Sequence, residues 1–162
     1  MRGHIPLGYY KDPVKTAATF PVVDGERYAV PGDLAMVEAD GAITLLGRGS
    51  TSINTGGEKV FPEEVEDAIK TFPGVFDAVV VGVPHERFGE MVVAAVEMAK
   101  GANFDEAALL DHLRVTLAGH KVPRAMMPVD SVGRGPNGKA DRPGVTERIV
   151  AWLETRRAVG KA

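Results

Sequence analysis

Over most of the chain, the order of apolar and polar residues changes repeatedly between the period of a helix and that of a strand. Residues 62–72 start with a proline, which the first turn of a helix tolerates, and they predict a helix. Its apolar stripe, at i, i+3, i+4 and i+7, is Val65, Ala68, Ile69 and Phe72. Runs typical of strands follow at 75–83, 91–98 and 125–132.

The same periodicity predicts two further helices. Residues 103–117 predict a helix with Asn103 as its N-cap and Glu106 three positions later, which is the spacing of a capping box. The side chains expected to face inward are Leu109, Leu110, Leu113 and Leu117. A last helix, which ends in a basic tail, is marked by Val145, Ile149, Trp152 and Leu153.

The first 48 residues have a different pattern, made of short strands and tight turns. Their strand-like runs, at 28–30, 34–38 and 42–46, are separated by dipeptides that favour turns: Asp24-Gly25, Pro31-Gly32 and Asp40-Gly41. From about residue 49 the pattern predicts an α+β domain with a central sheet flanked by helices. The interval 47–57, rich in glycine, serine and threonine, is expected to be a hinge or a ligand loop.

Composition narrows the class of protein and of partner. The 162 residues, 44% hydrophobic and 25% charged, describe an ordered globular chain with room for one domain or slightly more. With 19 basic and 22 acidic residues, the net charge of -3 provides no general attraction to nucleic acid or anionic lipid. The absence of cysteine excludes a disulfide framework, a thiolate metal site and a cysteine nucleophile.

No segment predicts a membrane span or a targeting signal. The start has no apolar stretch typical of a secretion signal, and the longest apolar run, 78–83, is far too short to span a bilayer. Histidines stand at positions 4, 85, 112 and 120 without the pairing of metal ligands, so no metal site is expected. Because no membrane span or targeting signal is predicted, we expect a cytoplasmic protein, with a peripheral position at a membrane as the alternative.

A series of short motifs follows in order along nearly the whole chain. They are Gly8-Tyr9-Tyr10-Lys11-Asp12-Pro13 with Lys15-Thr16-Ala17, Pro31-Gly32-Asp33-Leu34, Gly47-Arg48, the blocks 56–66 and 82–90, Lys121-Val122-Pro123-Arg124, and Pro136-Asn137-Gly138-Lys139. In this order and spacing they resemble the carboxyl-terminal part of acyl-CoA synthetases of the acyl-adenylate-forming (AMP-binding enzyme) superfamily. Within this superfamily, the sequence of residues 54–62 is most similar to that of fatty-acyl-CoA synthetases, including those that act on sterol-derived acids.

The resemblance implies an ATP-dependent ligase, in which a carboxylate attacks the α-phosphorus of ATP to give acyl-AMP and pyrophosphate before CoA takes the acyl group as a thioester. Lys139 matches the family's catalytic lysine. An ammonium on a flexible stem beside an Asn-Gly turn suits that role, because it can bridge the carboxylate and the phosphate in the transition state. On its own, a lysine in this short motif can equally be a solvated residue beside a common turn.

Asp33 and Arg48 match the residues that the family uses on the nucleotide. A carboxylate at Asp33 can accept both hydroxyls of a ribose, and Arg48 is expected to contact ribose or phosphate. The alternatives are an aspartate that stabilises its own turn and a surface arginine at the end of a strand. The chain has Ala29-Val30-Pro31 where many relatives carry an Arg-Thr pair before the Gly-Asp, so contacts from that pair are absent.

The family turns its small domain between the two half-reactions, and the resemblance puts this pivot at Gly49-Ser50. Residues 1–48 are then the last strands of the large AMP-binding domain, which is incomplete here, and 49–162 are the small mobile domain. Glycine accepts backbone conformations closed to other residues, which suits a pivot, although an ordinary flexible linker is the alternative. Many relatives carry Asp or Lys where Ser50 stands, so no electrostatic latch is expected there.

Gly56 and Gly57 correspond to glycines that border the channel for the pantetheine arm of CoA, with Glu58 orienting the loop. The absence of side chains there allows close approach of the backbone. The alternative is a glycine pair that only turns the chain toward the helix at 62–72.

Large functional parts of the family have no counterpart in these 162 residues. The phosphate loop, the segment that binds adenine and Mg²⁺, and the acyl pocket all lie upstream in relatives. The implied cofactors are ATP/AMP, CoA and Mg²⁺, with the Mg²⁺ ligands in the missing amino-terminal portion, which is the expected partner. A fatty or sterol-derived acid is the implied substrate, and the chain alone is expected to be inactive.

Two other functions remain open from the sequence. One is a free-standing module that binds CoA or a partner without catalysis, and the other is an adenylation domain that loads a carrier protein. Lys121, Arg124 and Arg134 are candidates for contact with CoA phosphates, or for ordinary charged surface residues.

Overall fold

The structure, a computed structural model, describes residues 4–30 and 32–159, without the side chains of residues 46, 48, 50, 157 and 159. The chain divides into two compact units, Met1–Ser50 and Thr51–Ala162. A single turn of 3-10 helix, Gly49–Thr51, runs across this division. The domain boundary after residue 48 and the pivot at Gly49-Ser50 stay predictions, and the side chain of Ser50 lies outside those described.

The described residues of the first unit form one short helix and two strand pairs. The helix α1 (Pro13–Thr19) is capped by Asp12, whose side chain accepts a hydrogen bond from the backbone N–H of Lys15 at 2.9 Å. Strands β1 (Val22–Val23) and β2 (Glu26–Arg27) form a small hairpin. Strands β3 (Asp33–Val37) and β4 (Ile43–Arg48) pair in antiparallel fashion, close to the predicted runs.

The predicted strand at 28–30 is wrong, because its backbone groups bond outside any sheet. The N–H groups of Tyr28 and Val30 donate to the carbonyls of Pro21 and Thr19, at 2.9 and 2.7 Å. These bonds tie the segment to the last residue of α1 and to Pro21. The helix α1 itself was not predicted, since it buries no side chain and so carries no apolar stripe.

A five-stranded sheet forms the centre of the second unit. In chain order its elements are β5 (Ile53–Thr55), β6 (Glu58–Val60), α2 (Pro62–Lys70), β7 (Val75–His85), β8 (Gly89–Met98), α3 (Glu106–Thr116), β9 (Ala125–Val129) and α4 (Arg142–Val159). The long β7–β8 hairpin is antiparallel, and β9 pairs in parallel with β8. The β5–β6 hairpin joins β8 where Thr55 pairs with Gly89.

Helices cover both faces of this sheet, which explains why β7 and β8 are apolar at nearly every position. Successive side chains of a strand point to opposite faces. The core with α2 and α3 includes Val65, Ile69, Val80, Val92, Val96, Leu109, Leu113 and Met126. The core with α4 includes Val79, Val81, Val93, Ala95, Met127, Val145 and Ile149. Among the helices described, none is long and apolar enough to cross a membrane.

The helix α3 starts two residues later than predicted, because its N-cap is Asp105 and not Asn103. The Asp105 carboxylate accepts a hydrogen bond from the backbone N–H of Ala108 at 3.0 Å. The predicted capping-box residue, Glu106, instead accepts from the N–H of Met126 at 3.1 Å and forms an ion pair with Arg156 at 2.8 Å. Its carboxylate therefore links α3 to β9 and α4.

Candidate functional site

Lys139 lies on a short closed loop, residues 134–140. The N–H groups of Gly135 and Gly138 donate to the carbonyls of Lys139 and Gly135, both at 2.9 Å. The N–H of Lys139 donates to the side-chain oxygen of Asn137 at 3.1 Å. Gly138 has a φ of +72°, a conformation that favours glycine. The backbone is thus held tightly, while the side chain of Lys139 is exposed.

The guanidinium of Arg134 ties this loop to the start of β7. Its Nε and Nη2 donate to the two carboxylate oxygens of Asp77, at 2.5 and 2.9 Å. Its Nη1 donates to the carbonyl of Gly138 at 3.1 Å, one residue before Lys139. These hydrogen bonds hold the pKa of the Asp77 carboxyl below its usual range, so the pair is ionised at neutral pH.

A second ion pair fixes the chain just after the loop, where α4 begins. Glu66 is only 5% exposed, and its Oε1 accepts from the N–H of Val80 at 2.9 Å and from Nη1 of Arg142 at 2.7 Å. Arg142 also donates to the carbonyl of Val80 at 2.6 Å and to Glu63 at 3.1 Å. Burial raises the pKa of Glu66, and the bonds from Val80 and Arg142 oppose this rise. The loop that carries Lys139 is therefore anchored on both sides.

The interval 47–57, expected to be a hinge or a ligand loop, contains the strand β5. Its role as a hinge stays a prediction. Ile53 and Thr55 of that strand are buried. Gly56 and Gly57 form the turn of the β5–β6 hairpin, with φ values of +62° and +89°. A two-residue hairpin turn of type I′ requires φ above zero at both positions, so the pair has a structural reason of its own. The turn leads the chain into β6 and not directly into α2. Glu58, the first residue of β6, is exposed.

An aromatic side chain and an arginine adjoin this glycine turn. The N–H of Gly56 donates to the carbonyl of Phe88 at 2.8 Å. The ring of His85 stacks on that of Phe88 with centroids 4.8 Å apart, and the guanidinium of Arg124 lies 4.1 Å from the Phe88 centroid. Phe88 lies in the motif block 82–90, but the sequence indicated no role for it, because the residue meets the glycine turn only in the fold.

The Lys139 loop and the glycine turn lie at opposite ends of the β7–β8 hairpin. The loop is held at Asp77, near the first residue of β7. The glycine turn is held at the other end, where Gly89 pairs with both His85 and Thr55. Asp77 and His85 are eight positions apart on one strand, which corresponds to roughly 26 Å. The structure therefore does not bring these two candidate regions together in one site.

The register of the first unit places Asp33 and Arg48 directly opposite each other on β3 and β4. Asp33 is exposed, whereas the side chain of Arg48, like Pro31 before Asp33, lies outside the described part of the structure. Their roles on a nucleotide stay predictions.

The three basic residues considered for CoA phosphates each have a different partner in the fold. Lys121 bonds both carboxylate oxygens of Glu64, at 2.6 and 2.8 Å, and Arg134 is engaged with Asp77. Arg124, which is exposed, packs on the ring of Phe88. The sequence could not reveal the two carboxylate partners, because each lies 57 positions away.

The chemistry of the Lys139 loop suits an anionic ligand. An exposed ammonium at Lys139 can meet a phosphate or a carboxylate without losing an existing partner among the described ion pairs. Within residues 4–30 and 32–159, no three histidine, aspartate or glutamate side chains converge as a metal site requires. No residue described here is therefore assigned to Mg²⁺.

Two comparisons of sequence agree on the family. Residues 64–139 match the AMP-binding enzyme C-terminal domain. The medium/long-chain-fatty-acid–CoA/3-oxocholest-4-en-26-oate–CoA ligase of Mycolicibacterium smegmatis is 59% identical over 140 residues, which are 86% of this chain and 25% of the relative. The 3-oxocholest-4-en-26-oate–CoA ligase of Rhodococcus rhodochrous is 59% identical over 139 residues, with the same coverage of 86% and 25%. The chain thus spans about a quarter of the length of these relatives.

The fold leads to the same family. The crystal structure of ATP-bound MatB from Rhodopseudomonas palustris aligns with a TM-score of 0.72 and 38% identity, over 88% of this chain and 28% of that one. This similarity confirms the predicted class, a central sheet flanked by helices. The chain therefore belongs to the acyl-adenylate-forming (AMP-binding) enzyme superfamily, with residues 64–139 as its C-terminal domain.

Proposed function

We propose that this chain is the mobile C-terminal domain, with the last strands of the large domain, of an ATP-dependent ligase that joins a fatty or sterol-derived acid to CoA. The acids after which the M. smegmatis and R. rhodochrous ligases are named support this class of substrate. The observation that carries the proposal is the separation of two candidate regions. One end of the β7–β8 hairpin has an exposed lysine on an anchored loop, and the other has an open glycine turn.

Lys139 acts in the first half-reaction. The attack of a carboxylate on the α-phosphorus of ATP gathers negative charge on the phosphate oxygens and breaks the bond to pyrophosphate. An ammonium placed between the two anions offsets their repulsion and stabilises this charge. The exposed side chain on a fixed backbone supports this role, because it supplies a long cationic arm from a defined origin.

The glycine turn acts in the second half-reaction, in which the thiol of CoA attacks the acyl-AMP and releases AMP. No heavy atom outside the adjacent residues lies within 4 Å of the place where a Cβ on Gly57 would stand. A narrow arm such as pantetheine can therefore pass close to this backbone. Arg124, which is exposed beside the turn, offers a positive charge that suits the phosphates at the nucleotide end of CoA.

Two regions at opposite ends of one hairpin cannot both face the same acyl group in one orientation. A rotation of the domain at Gly49-Ser50 brings first Lys139 and then the glycine turn to it. Asp33 and Arg48 hold the ribose and phosphate from the large domain, where β3 and β4 place them opposite each other. The ligands of Mg²⁺ and the acyl pocket belong to the amino-terminal portion.

The first unit supports the presence of that portion. All five residues of β3 are exposed. Large apolar side chains with high exposure in this unit include Leu7, Tyr10, Val14, Val37, Ile43 and Leu45. Strands with apolar side chains open to water are typical of a sheet whose covering layers are supplied elsewhere. The amino-terminal portion of the same enzyme is the partner that covers them.

Reconstitution tests this proposal. Three samples are compared: this chain alone, this chain mixed with the amino-terminal portion of the M. smegmatis relative, and the two joined in one polypeptide. Each receives ATP, Mg²⁺, CoA and either a fatty acid or 3-oxocholest-4-en-26-oate, and acyl-CoA and AMP are measured. We expect no product from the chain alone and ATP-dependent acyl-CoA from the joined protein. Acyl-AMP formation by the chain alone, or a folded but inactive joined protein, overturns the proposal.

A further inference from the structure

We propose that Arg134 and Asp77 are positioning residues for acyl-adenylate formation. Their ion pair holds the loop that carries Lys139. The rate of the first half-reaction therefore depends on this ion pair, whereas the rate of the second does not. This inference rests on the function proposed for Lys139. It gives Arg134 a different role from the contact with CoA phosphates that the sequence allowed.

The geometry of Arg134 is that of a clamp. Its Nε and Nη2 bond the carboxylate of Asp77 side by side, at 2.5 and 2.9 Å, while Nη1 bonds the carbonyl of Gly138 at 3.1 Å. A guanidinium is planar, so two bonds to a fixed carboxylate also fix the direction of the third. The peptide bond that precedes Lys139 is therefore oriented from β7.

Asp77 is itself a firm anchor. Its Oδ1 accepts from the N–H of Ala78 at 2.8 Å, and its side chain is only 14% exposed. The register of β7 against β8 shifts between Val75 and Asp77. An irregularity of this kind redirects a side chain at the end of a strand. The carboxylate thus belongs to the rigid sheet, and the loop is attached to it.

The loop needs such an anchor because its own sequence is permissive. Gly133, Gly135 and Gly138 lie within six residues, and glycine leaves the backbone free to adopt many conformations. The other hydrogen bonds that close the loop are single backbone–backbone bonds and one bond to the side chain of Asn137. Loss of the clamp is expected to spread the positions of Lys139 while its charge and exposure stay the same.

The test separates the two half-reactions in the joined protein. Arg134→Lys keeps the charge but removes the planar fork, and Asp77→Asn keeps the size but removes the charge. Exchange of pyrophosphate with ATP reports acyl-AMP formation, and supplied acyl-AMP with CoA reports thioester formation. We expect exchange to fall about 10- to 100-fold in both variants, the usual effect of a misplaced catalytic group. Thioester formation is expected to stay within about twofold, because its site lies at the other end of the hairpin.

Arg114→Lys is the matched control, since it disturbs an ion pair with Asp111 at 2.7 Å on the exposed side of α3. It should alter neither half-reaction. Equal losses in both half-reactions for Arg134→Lys and Asp77→Asn, or unfolding of both, would indicate a general structural role and overturn the proposal.

A further comparison distinguishes this proposal from the function on which it rests. If Lys139→Ala abolishes exchange while Arg134→Lys and Asp77→Asn leave it unchanged, the positioning role is wrong and the proposed function stands. If Lys139→Ala leaves exchange unchanged in the folded joined protein, the proposed function fails and the positioning role fails with it.

Discussion

Glu66 is a carboxylate that the fold buries between α2 and β7, and Arg142 compensates its charge at 2.7 Å. Removing the arginine leaves a buried charge without its ionic partner, which costs about 3–5 kcal/mol in proteins. We therefore expect Arg142→Met to lower the free energy of unfolding by this amount at pH 8. The free energy of unfolding is measured by urea unfolding followed by the fluorescence of Trp152, which is the chain's single tryptophan and lies in α4.

The pH dependence of this loss identifies its cause. Burial already raises the pKa of Glu66, and loss of Arg142 raises it further. A raised pKa in the folded state makes the fold more stable at low pH and less stable as pH rises through that pKa. The loss in Arg142→Met should therefore be smaller at pH 5 than at pH 8. An equal loss of stability at pH 5 and pH 8 contradicts this cause. Arg114→Met is the control, and because its ion pair is exposed it should lower the free energy of unfolding by at most about 1 kcal/mol.

At the scale of elements, the start of α3 depends on one side chain. Asp105 caps the helix by accepting from the N–H of Ala108, at 3.0 Å. Asp105→Ala should lower the free energy of unfolding by about 1 kcal/mol, because an unpaired N–H is left at the helix end. Asn103→Ala is the matched control, since Asn103 lies outside α3, and should change stability by less than about 0.5 kcal/mol. Equal effects in thermal or urea unfolding would place the cap elsewhere.

Elements with a strong apolar period were predicted well from the sequence. The helix α2 and the strands β7 and β8 each contain several buried side chains, and their predicted bounds differ from the observed ones by two residues at most. By contrast, α1 buries nothing, and β5 and β6 have three residues each, too few to define a period. The cap of α3 was misplaced because asparagine and aspartate cap equally well, and only the path of the chain decides between them.

The candidate site was predictable only where its residues are close in sequence. Lys139 and the pair Gly56 and Gly57 stand in short motifs whose order carries the information. The clamp between Arg134 and Asp77 was not predicted, because 57 positions separate the two residues and no local pattern links them. The same is true of Phe88, which meets the glycine turn only once β5 joins β8.

At the scale of the whole molecule, the two units differ in how they are stabilised. The second unit has a core on each face of its sheet. In the described part of the first unit, Phe20 is the one large apolar side chain that is buried, while most of its strand residues are exposed. This contrast supports a chain whose first part completes a larger domain and whose second part folds around its own core.

The second unit also separates its two candidate regions along one hairpin, and we propose one half-reaction for each. We propose that Lys139 serves acyl-AMP formation and not thioester formation. Lys100 provides a matched control, because it is an exposed lysine on the turn after β8.

The most direct measurement is pyrophosphate exchange by the joined protein, beside thioester formation from supplied acyl-AMP, for Lys139→Ala and Lys100→Ala. Loss of a group that stabilises charge in a transition state typically slows a step by about 10²–10³-fold. For Lys139→Ala we predict that pyrophosphate exchange falls by this factor while thioester formation is preserved. For Lys100→Ala we predict no change in either step. Undiminished exchange by a folded Lys139→Ala protein would contradict this proposal.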